Sequence, residues 1–133
     1  MNDEPETLFD IKYQKAIILQ RQSKYLEALA LFNELKTQFT EYTSTQNYVR
    51  LLTDIGYTLN DLGNYELSLN NFYEALRIAN ENNHEQERAK LFWLIGWVYQ
   101  ALNQNDMASE FAKKCLTLSQ EKNYVAEEAT AYN

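Results

Sequence analysis

Residues of similar character recur at intervals of forty along this 133-residue chain. The interval relates three sets: Ala16, Gly56 and Gly96; Tyr25, Tyr65 and Asn105; and Glu41, Glu81 and Glu121. Self-similarity at a period of this size indicates a repeat array, in which each unit must pack on its neighbours to bury a core. We therefore expect three stacked units, at residues 9–48, 49–88 and 89–128.

The units are expected to form one all-α domain over residues 1–133. A chain of this length is the size of one ordinary domain. Hydrophobic residues make up 45% of it, while there are only three glycines and one proline. This composition excludes a disordered chain and disfavours a β architecture with many turns.

Each unit has the pattern of a helical hairpin. Apolar residues follow helical spacing in a leading helix, as with Leu52, Ile55 and Leu59 in the second unit. A trailing helix shows the same spacing, and its apolar positions in the first and third units are Leu26, Leu29, Phe32 and Leu35, then Met107, Ala108, Phe111, Ala112, Cys115 and Leu118. Short polar turns separate the two helices, and Gly63 and Asn103 suit the left-handed residue that ends a helix.

The pattern resembles the tetratricopeptide repeat family, most clearly through Leu52, Ile55, Gly56, Leu59, Ser68, Phe72 and Ala75. The resemblance implies a right-handed α-solenoid of three hairpins, followed by the start of a further helix at residues 125–133. The family's usual period is thirty-four residues. We assign the six extra residues to longer trailing helices and to polar connectors at residues 80–84 and 120–123.

The family's leading helices line a concave groove, and the resemblance transfers its contact positions to this chain. The candidate groove residues are Tyr13, Ile17, Arg50, Tyr57, Asn60, Lys90, Trp93, Trp97 and Gln100. Some family members hold a terminal carboxylate with Lys and Asn residues, and the resemblance places Tyr13, Ile17, Thr53, Tyr57, Trp93 and Trp97 at those positions here. The groove should therefore bind an extended or helical peptide with apolar anchors.

Two other roles for the aromatic residues remain open. Tyr13 and Tyr57 could equally be packing residues, because aromatic side chains at helical spacing often belong to a core. For Trp97 we expect exposure in the groove, since Phe92 and Gly96 already occupy the seam between the helices. A second copy of the chain could also cover the aromatic face, which would make a homodimer.

No catalytic, metal or cofactor site is expected. His84 is the single histidine and falls in a polar connector, where we expect it to be solvated, and Cys115 occupies a packing position of a trailing helix. The net charge of −7 makes nucleic acid a poor partner, because phosphate binding requires clustered basic residues. The chain has no apolar run long enough to cross a membrane and no signal peptide, so we expect a cytoplasmic location.

The segment after the third unit continues the period, because Ala129 follows Val49 and Ala89 at the same interval. It could cover the last hairpin with Val125, Ala129 and Tyr132, or the array could continue in a longer protein, which we favour. The function expected is a non-catalytic scaffold that binds a protein or peptide. The alternatives are a sensor piece of a larger signalling protein, such as a peptide-pheromone receptor or a transcriptional regulator, and a homo-oligomerisation module.

Overall fold

The computed structural model describes residues 4–38 and 44–122, and within these ranges it contains only helices and turns. The helices are α1 (Glu4–Arg21), α2 (Tyr25–Gln38), α3 (Thr45–Asp61), α4 (Tyr65–Glu81), α5 (Glu85–Ala101) and α6 (Asn105–Lys122). Each odd-numbered helix packs against the even-numbered helix that follows, and neighbouring hairpins pack on each other. The all-α solenoid of three hairpins is confirmed, whereas the helix expected at residues 125–133 lies outside the described residues.

The three turns inside the hairpins have the same backbone geometry. Ser23, Gly63 and Asn103 adopt positive φ values of 63°, 80° and 60°. At the middle turn, the Gly63 amide donates to the Asn60 carbonyl at 2.9 Å and the Asn64 amide donates to the Leu59 carbonyl at 2.8 Å. This pair of bonds is the Schellman motif, which satisfies carbonyls at a helix end. The roles expected for Gly63 and Asn103 are confirmed.

Small residues let the two helices of a hairpin approach closely. A Cβ atom at Gly56 would lie 2.6 Å from the Phe72 ring, and the Ser68 hydroxyl donates to the Gly56 carbonyl at 2.6 Å. A Cβ atom at Gly96 would lie 3.3 Å from the Ala108 carbonyl oxygen. The close approach expected at both glycines is therefore confirmed.

The helices differ from expectation in length and in two exposed positions. Helices α3 and α4 both contain seventeen residues, so the long period is not confined to the trailing helix. The connector after α4 is also shorter than expected, because residues 80 and 81 are helical and only 82–84 lie between the helices. Leu26 and Ala112, both expected in the core, are exposed.

The core is built from interfaces between successive hairpins. One buried cluster joins the first hairpin to α3 through Phe32, Leu51 and Ile55. A second joins the second hairpin to the third through Phe72 and Leu91. In both cases a leading helix fits against the preceding hairpin. This stacking brings one side of α1, α3 and α5 together on a shared surface.

Candidate functional site

The leading helices α1, α3 and α5 together line a groove made of two adjoining cavities. The first, of about 200 Å³, is lined by Tyr13, Arg50, Thr53, Asp54, Gln86, Glu87 and Lys90. The second, of about 430 Å³, is lined by Ile17, Gln20, Arg21, Ser23, Tyr25, Thr53, Asp54, Tyr57, Asp61, Lys90 and Leu94. Five of the nine candidate residues from the sequence, namely Tyr13, Ile17, Arg50, Tyr57 and Lys90, thus lie in the groove.

A hydrogen bond between α1 and α3 forms the floor of the groove. The Tyr13 hydroxyl donates to the Asp54 carboxylate. Burial raises the pKa of Tyr13, and the negative charge of Asp54 raises it further, so the tyrosine keeps its proton. Burial also raises the pKa of Asp54, although the bond from Tyr13 and the charges of Lys90 and Arg50 oppose that shift. Tyr13 and Asp54 therefore act as one polar unit within a groove that is lined mainly by polar and charged side chains.

Tyr13 is at once a groove residue and a packing residue. Its ring meets the ring of the buried Phe32 edge-on, with centroids 5.8 Å apart. Its hydroxyl reaches Asp54 at the wall of the first cavity. Tyr13 therefore both packs against the core and lines the first cavity.

Basic and acidic side chains alternate along the groove. The Arg50 Nε atom lies 3.8 Å from a Glu87 carboxylate oxygen, which also accepts a hydrogen bond from the Gln46 amide at 3.1 Å. Lys90 lines both cavities, and Asp61 lines the second. The groove thus carries mixed charge. This arrangement offers both hydrogen-bond donors and hydrogen-bond acceptors within one groove.

An aromatic row extends from α3 to α5. The ring centroids of Tyr57 and Trp97 lie 5.5 Å apart, and those of Trp97 and Trp93 lie 6.0 Å apart with nearly parallel planes. Tyr57 is 37% exposed and Trp97 is half-buried. The row places two of the large aromatic side chains expected in the groove next to each other.

The other four candidates line neither of the two groove cavities, although Trp97 contacts the groove residue Tyr57. Trp93, Trp97 and Gln100 line a third cavity of about 170 Å³, together with Gly96, Ala108 and Ala112. Asn60 is buried and lines none of the three cavities. The nine candidates are therefore divided between the groove, the end of the third hairpin and the interior.

Sequence reasoning missed Asp54 and Glu87 as groove residues. Asp54 follows Arg50 by four positions, which places both side chains on one face of α3. Glu87 precedes Lys90 by three positions on α5, so these two also share a face. From these spacings, Asp54 and Glu87 could have been assigned to the same helix faces as Arg50 and Lys90. The spacings do not reveal that Asp54 pairs with a tyrosine on another helix.

The residues outside the groove show little sign of further chemistry. Within residues 4–38 and 44–122, no group of three His, Cys, Asp or Glu side chains could hold a metal ion. Cys115 is buried, as expected. His84 is half-buried at the start of α5, so the solvated position expected for it is wrong. None of the described helices combines the length and the apolar character needed to cross a membrane.

A family model for the tetratricopeptide repeat matches residues 7–81 and, in a second register, residues 47–121. The chain belongs to the tetratricopeptide repeat family. Repeats of this family generally mediate protein–protein interactions and are typically non-catalytic scaffolds. No curated protein matches the chain.

Two solved structures show the same fold. One contains the nearly identical tetratricopeptide-like repeats of a kinesin light chain homologue from Podosopora anserina, with a TM-score of 0.74 at 13% identity. It is matched over 89% of this chain and 57% of its own length. The other is the tetratricopeptide domain of Arabidopsis FLU, with a TM-score of 0.74 at 15% identity over 88% of this chain and 98% of the domain. At these identities the similarity concerns the fold alone.

Proposed function

We propose that this protein is a non-catalytic scaffold that binds a peptide segment of a partner protein in the groove of α1, α3 and α5. The observation that carries the proposal is the aromatic row of Tyr57 and Trp97 beside the polar unit of Tyr13 and Asp54. Tryptophan and tyrosine are enriched among the few interface residues that contribute most of the binding energy. The peptide would place apolar side chains on this row.

The polar residues of the groove would fix the direction of the peptide. Asp54 can accept a hydrogen bond from a peptide amide, and Lys90 can donate to a carbonyl within the same cavity. Since both groups are held on helices, their separation is set before the ligand arrives. Preorganisation of this kind lowers the entropic cost of binding. The same groove would serve a cytoplasmic scaffold or a sensor piece of a larger signalling protein.

A second candidate function, homo-oligomerisation, is favoured by an apolar stripe on α1. Leu8, Ile11 and Ile18 are exposed, and Ile11 has 60% of its surface in solvent. Leu51 and Leu91, one and two periods after Ile11, are fully buried against the preceding hairpin. A second copy of the chain could cover this stripe. Sedimentation tests this candidate, because a monomer at high protein concentration would contradict it.

The groove proposal can be tested with two tyrosines of equal exposure. Tyr57 in the groove and Tyr73 on α4 are both 37% exposed. Once a pull-down and peptide competition have identified a bound segment, calorimetry should show that Tyr57→Ala weakens binding by about 2 kcal/mol, or roughly 30-fold. Tyr73→Ala should leave the affinity unchanged. We expect Trp97→Ala to weaken binding similarly while the helical circular dichroism is retained.

Two results would contradict this proposal. If Tyr57→Ala and Tyr73→Ala bind the peptide equally well, the groove is not the binding surface. If Trp97→Ala unfolds the protein, the indole belongs to the core and cannot be assigned to binding.

A further inference from the structure

The groove carries balanced charge, although the chain as a whole has a net charge of −7. Among the described residues that line its two cavities, the basic ones are Arg21, Arg50 and Lys90, and the acidic ones are Asp54, Asp61 and Glu87. A groove with this balance has no net charge with which to attract a strongly acidic or strongly basic segment. Polar selectivity in the groove therefore depends on hydrogen bonds.

Opposite charges lie next to each other in the first cavity. The Arg50 Nε atom is 3.8 Å from a carboxylate oxygen of Glu87. Burial raises the pKa of Asp54, whereas the nearby positive charges of Lys90 and Arg50 lower it. A charged side chain that enters this cavity would meet a like charge as well as an opposite one, and it would also lose hydration. An uncharged polar group avoids both costs.

Asp54 and Lys90 keep hydrogen-bonding capacity toward the first cavity. The Tyr13 hydroxyl donates to Oδ2 of Asp54, and no other described residue donates to that carboxylate. The Lys90 ammonium group has three N–H donors. It forms no hydrogen bond or ion pair with the residues of 4–38 and 44–122. The cavity thus presents an acceptor on α3 and a donor on α5, and both side chains are only partly buried.

We propose that the first cavity binds the side-chain amide of an asparagine or glutamine in the peptide. The amide nitrogen would donate to the Asp54 carboxylate, and the amide oxygen would accept from the Lys90 ammonium group. A primary amide is uncharged and carries a donor and an acceptor at the tip of one side chain. This inference rests on the proposed function, because it names the side chain that enters the cavity when the peptide binds.

The second cavity indicates what lies beside the amide. Asp54 and Lys90 line both cavities, while Tyr57 lines only the second of the two. The Tyr57 ring contacts the Trp97 ring, with centroids 5.5 Å apart. An apolar residue of the peptide would therefore lie on Tyr57 while the amide occupies the first cavity. The partner segment would combine an asparagine or glutamine with a large apolar residue close to it.

Selection from a phage-displayed library of random peptides tests this specificity with the full chain. Peptides that bind the parent protein but not Tyr57→Ala occupy the groove, and they should be enriched in asparagine or glutamine beside an apolar residue. In a selected peptide, glutamate or aspartate in place of the amide residue keeps its shape but adds a charge. We expect this change, or a change to lysine or leucine, to weaken binding by at least about tenfold, because hydrogen bonds to charged groups are among the stronger ones.

Two lysines of the protein provide matched variants. Lys90 lines the first cavity, whereas Lys114 lies on α6 and is 3.7 Å from a carboxylate oxygen of Glu110. In Lys90→Met, the advantage of the amide peptide over its leucine counterpart should fall at least about threefold, since the amide oxygen loses its donor. Lys114→Met should keep the full advantage. Circular dichroism should show that both variants remain folded.

The results that would overturn the amide site differ from those that would overturn peptide binding. If the selected peptides depend on Tyr57 but lack asparagine and glutamine, the amide site is wrong and the proposed function stands. A glutamate or lysine peptide that binds as tightly as the amide peptide would also overturn the amide site. Equal amide advantages in Lys90→Met and Lys114→Met would do the same. If no selected peptide depends on Tyr57, the proposed function fails and the amide site fails with it.

Discussion

Replacing Gly56 with alanine should destabilise the protein, although alanine is the better helix former. The new Cβ atom would lie 2.6 and 2.7 Å from two carbons of the Phe72 ring. Carbon atoms in normal contact are about 3.5–4.0 Å apart, so the ring would have to retreat by about 1 Å. Phe72 is fully buried, so its ring can move only by displacing the side chains packed around it.

The magnitude follows from two opposing effects. Overpacking of a well-packed core typically costs about 1–3 kcal/mol. Replacing glycine with alanine within a helix stabilises the helix by about 1 kcal/mol. We therefore expect the free energy of unfolding of Gly56→Ala to fall by up to about 2 kcal/mol, as measured by urea denaturation with circular dichroism.

Gly96→Ala is the matched control, because Gly96 occupies the same register in the next hairpin. Its Cβ atom would meet the Ala108 carbonyl oxygen and the Phe111 Cβ atom at 3.3 Å, a mild overlap that small shifts relieve. This variant should be as stable as the parent or slightly more stable. Combining Gly56→Ala with Phe72→Leu should show favourable coupling, since the smaller side chain makes room. If Gly56→Ala matches Gly96→Ala in stability, the close approach of Gly56 to Phe72 does not limit the fold.

Two further predictions concern Asp54 and Ser23. Burial raises the pKa of the Asp54 carboxyl above its ordinary value of 3.8, so the folded state favours the protonated carboxyl. The stability gained from this protonation is complete below pH 3.8 and is lost as the pH rises through the raised pKa. In urea titrations, the free energy of unfolding of Asp54→Asn should therefore rise relative to that of the parent as the pH increases through this range. If the difference in unfolding free energy between the two proteins does not change with pH, the pKa of Asp54 is not raised. Ser23 has a φ of 63°, a conformation that costs an L-residue about 1 kcal/mol, so Ser23→Gly should raise the melting temperature. An unchanged or lower melting temperature would show that the turn is not strained.

The turns and the helix pairing could be predicted from sequence because the responsible interactions are local. Gly63 and Asn103 are residue types that tolerate a positive φ, and they stand where apolar periodicity stops. Ser23 adopts the same conformation without being such a residue. The positive φ at this turn therefore could not be predicted from the residue type.

The burial of side chains at the ends of the array could not be predicted from their own residue type. Ile11 and Leu91 occupy the same register and are both aliphatic, yet one is exposed and the other is fully buried. Leu91 packs against the hairpin before it, whereas Ile11 lies on the first of the described helices. The polar floor of the groove was missed for a related reason, because the bond between Tyr13 and Asp54 joins residues forty-one positions apart. Such contacts depend on how the hairpins stack.

Helix α3 contributes to both major clusters of the core. Leu51 and Ile55 belong to the cluster shared with the first hairpin, while Val49 and Leu52 belong to the cluster shared with the third. In a stacked array, fraying begins at the outer units, whose interfaces are fewer. Opening of either outer hairpin would release only one of the two apolar sides of α3. Helix α3 therefore couples the unfolding of the first hairpin to that of the third. Only complete unfolding separates it from both neighbours.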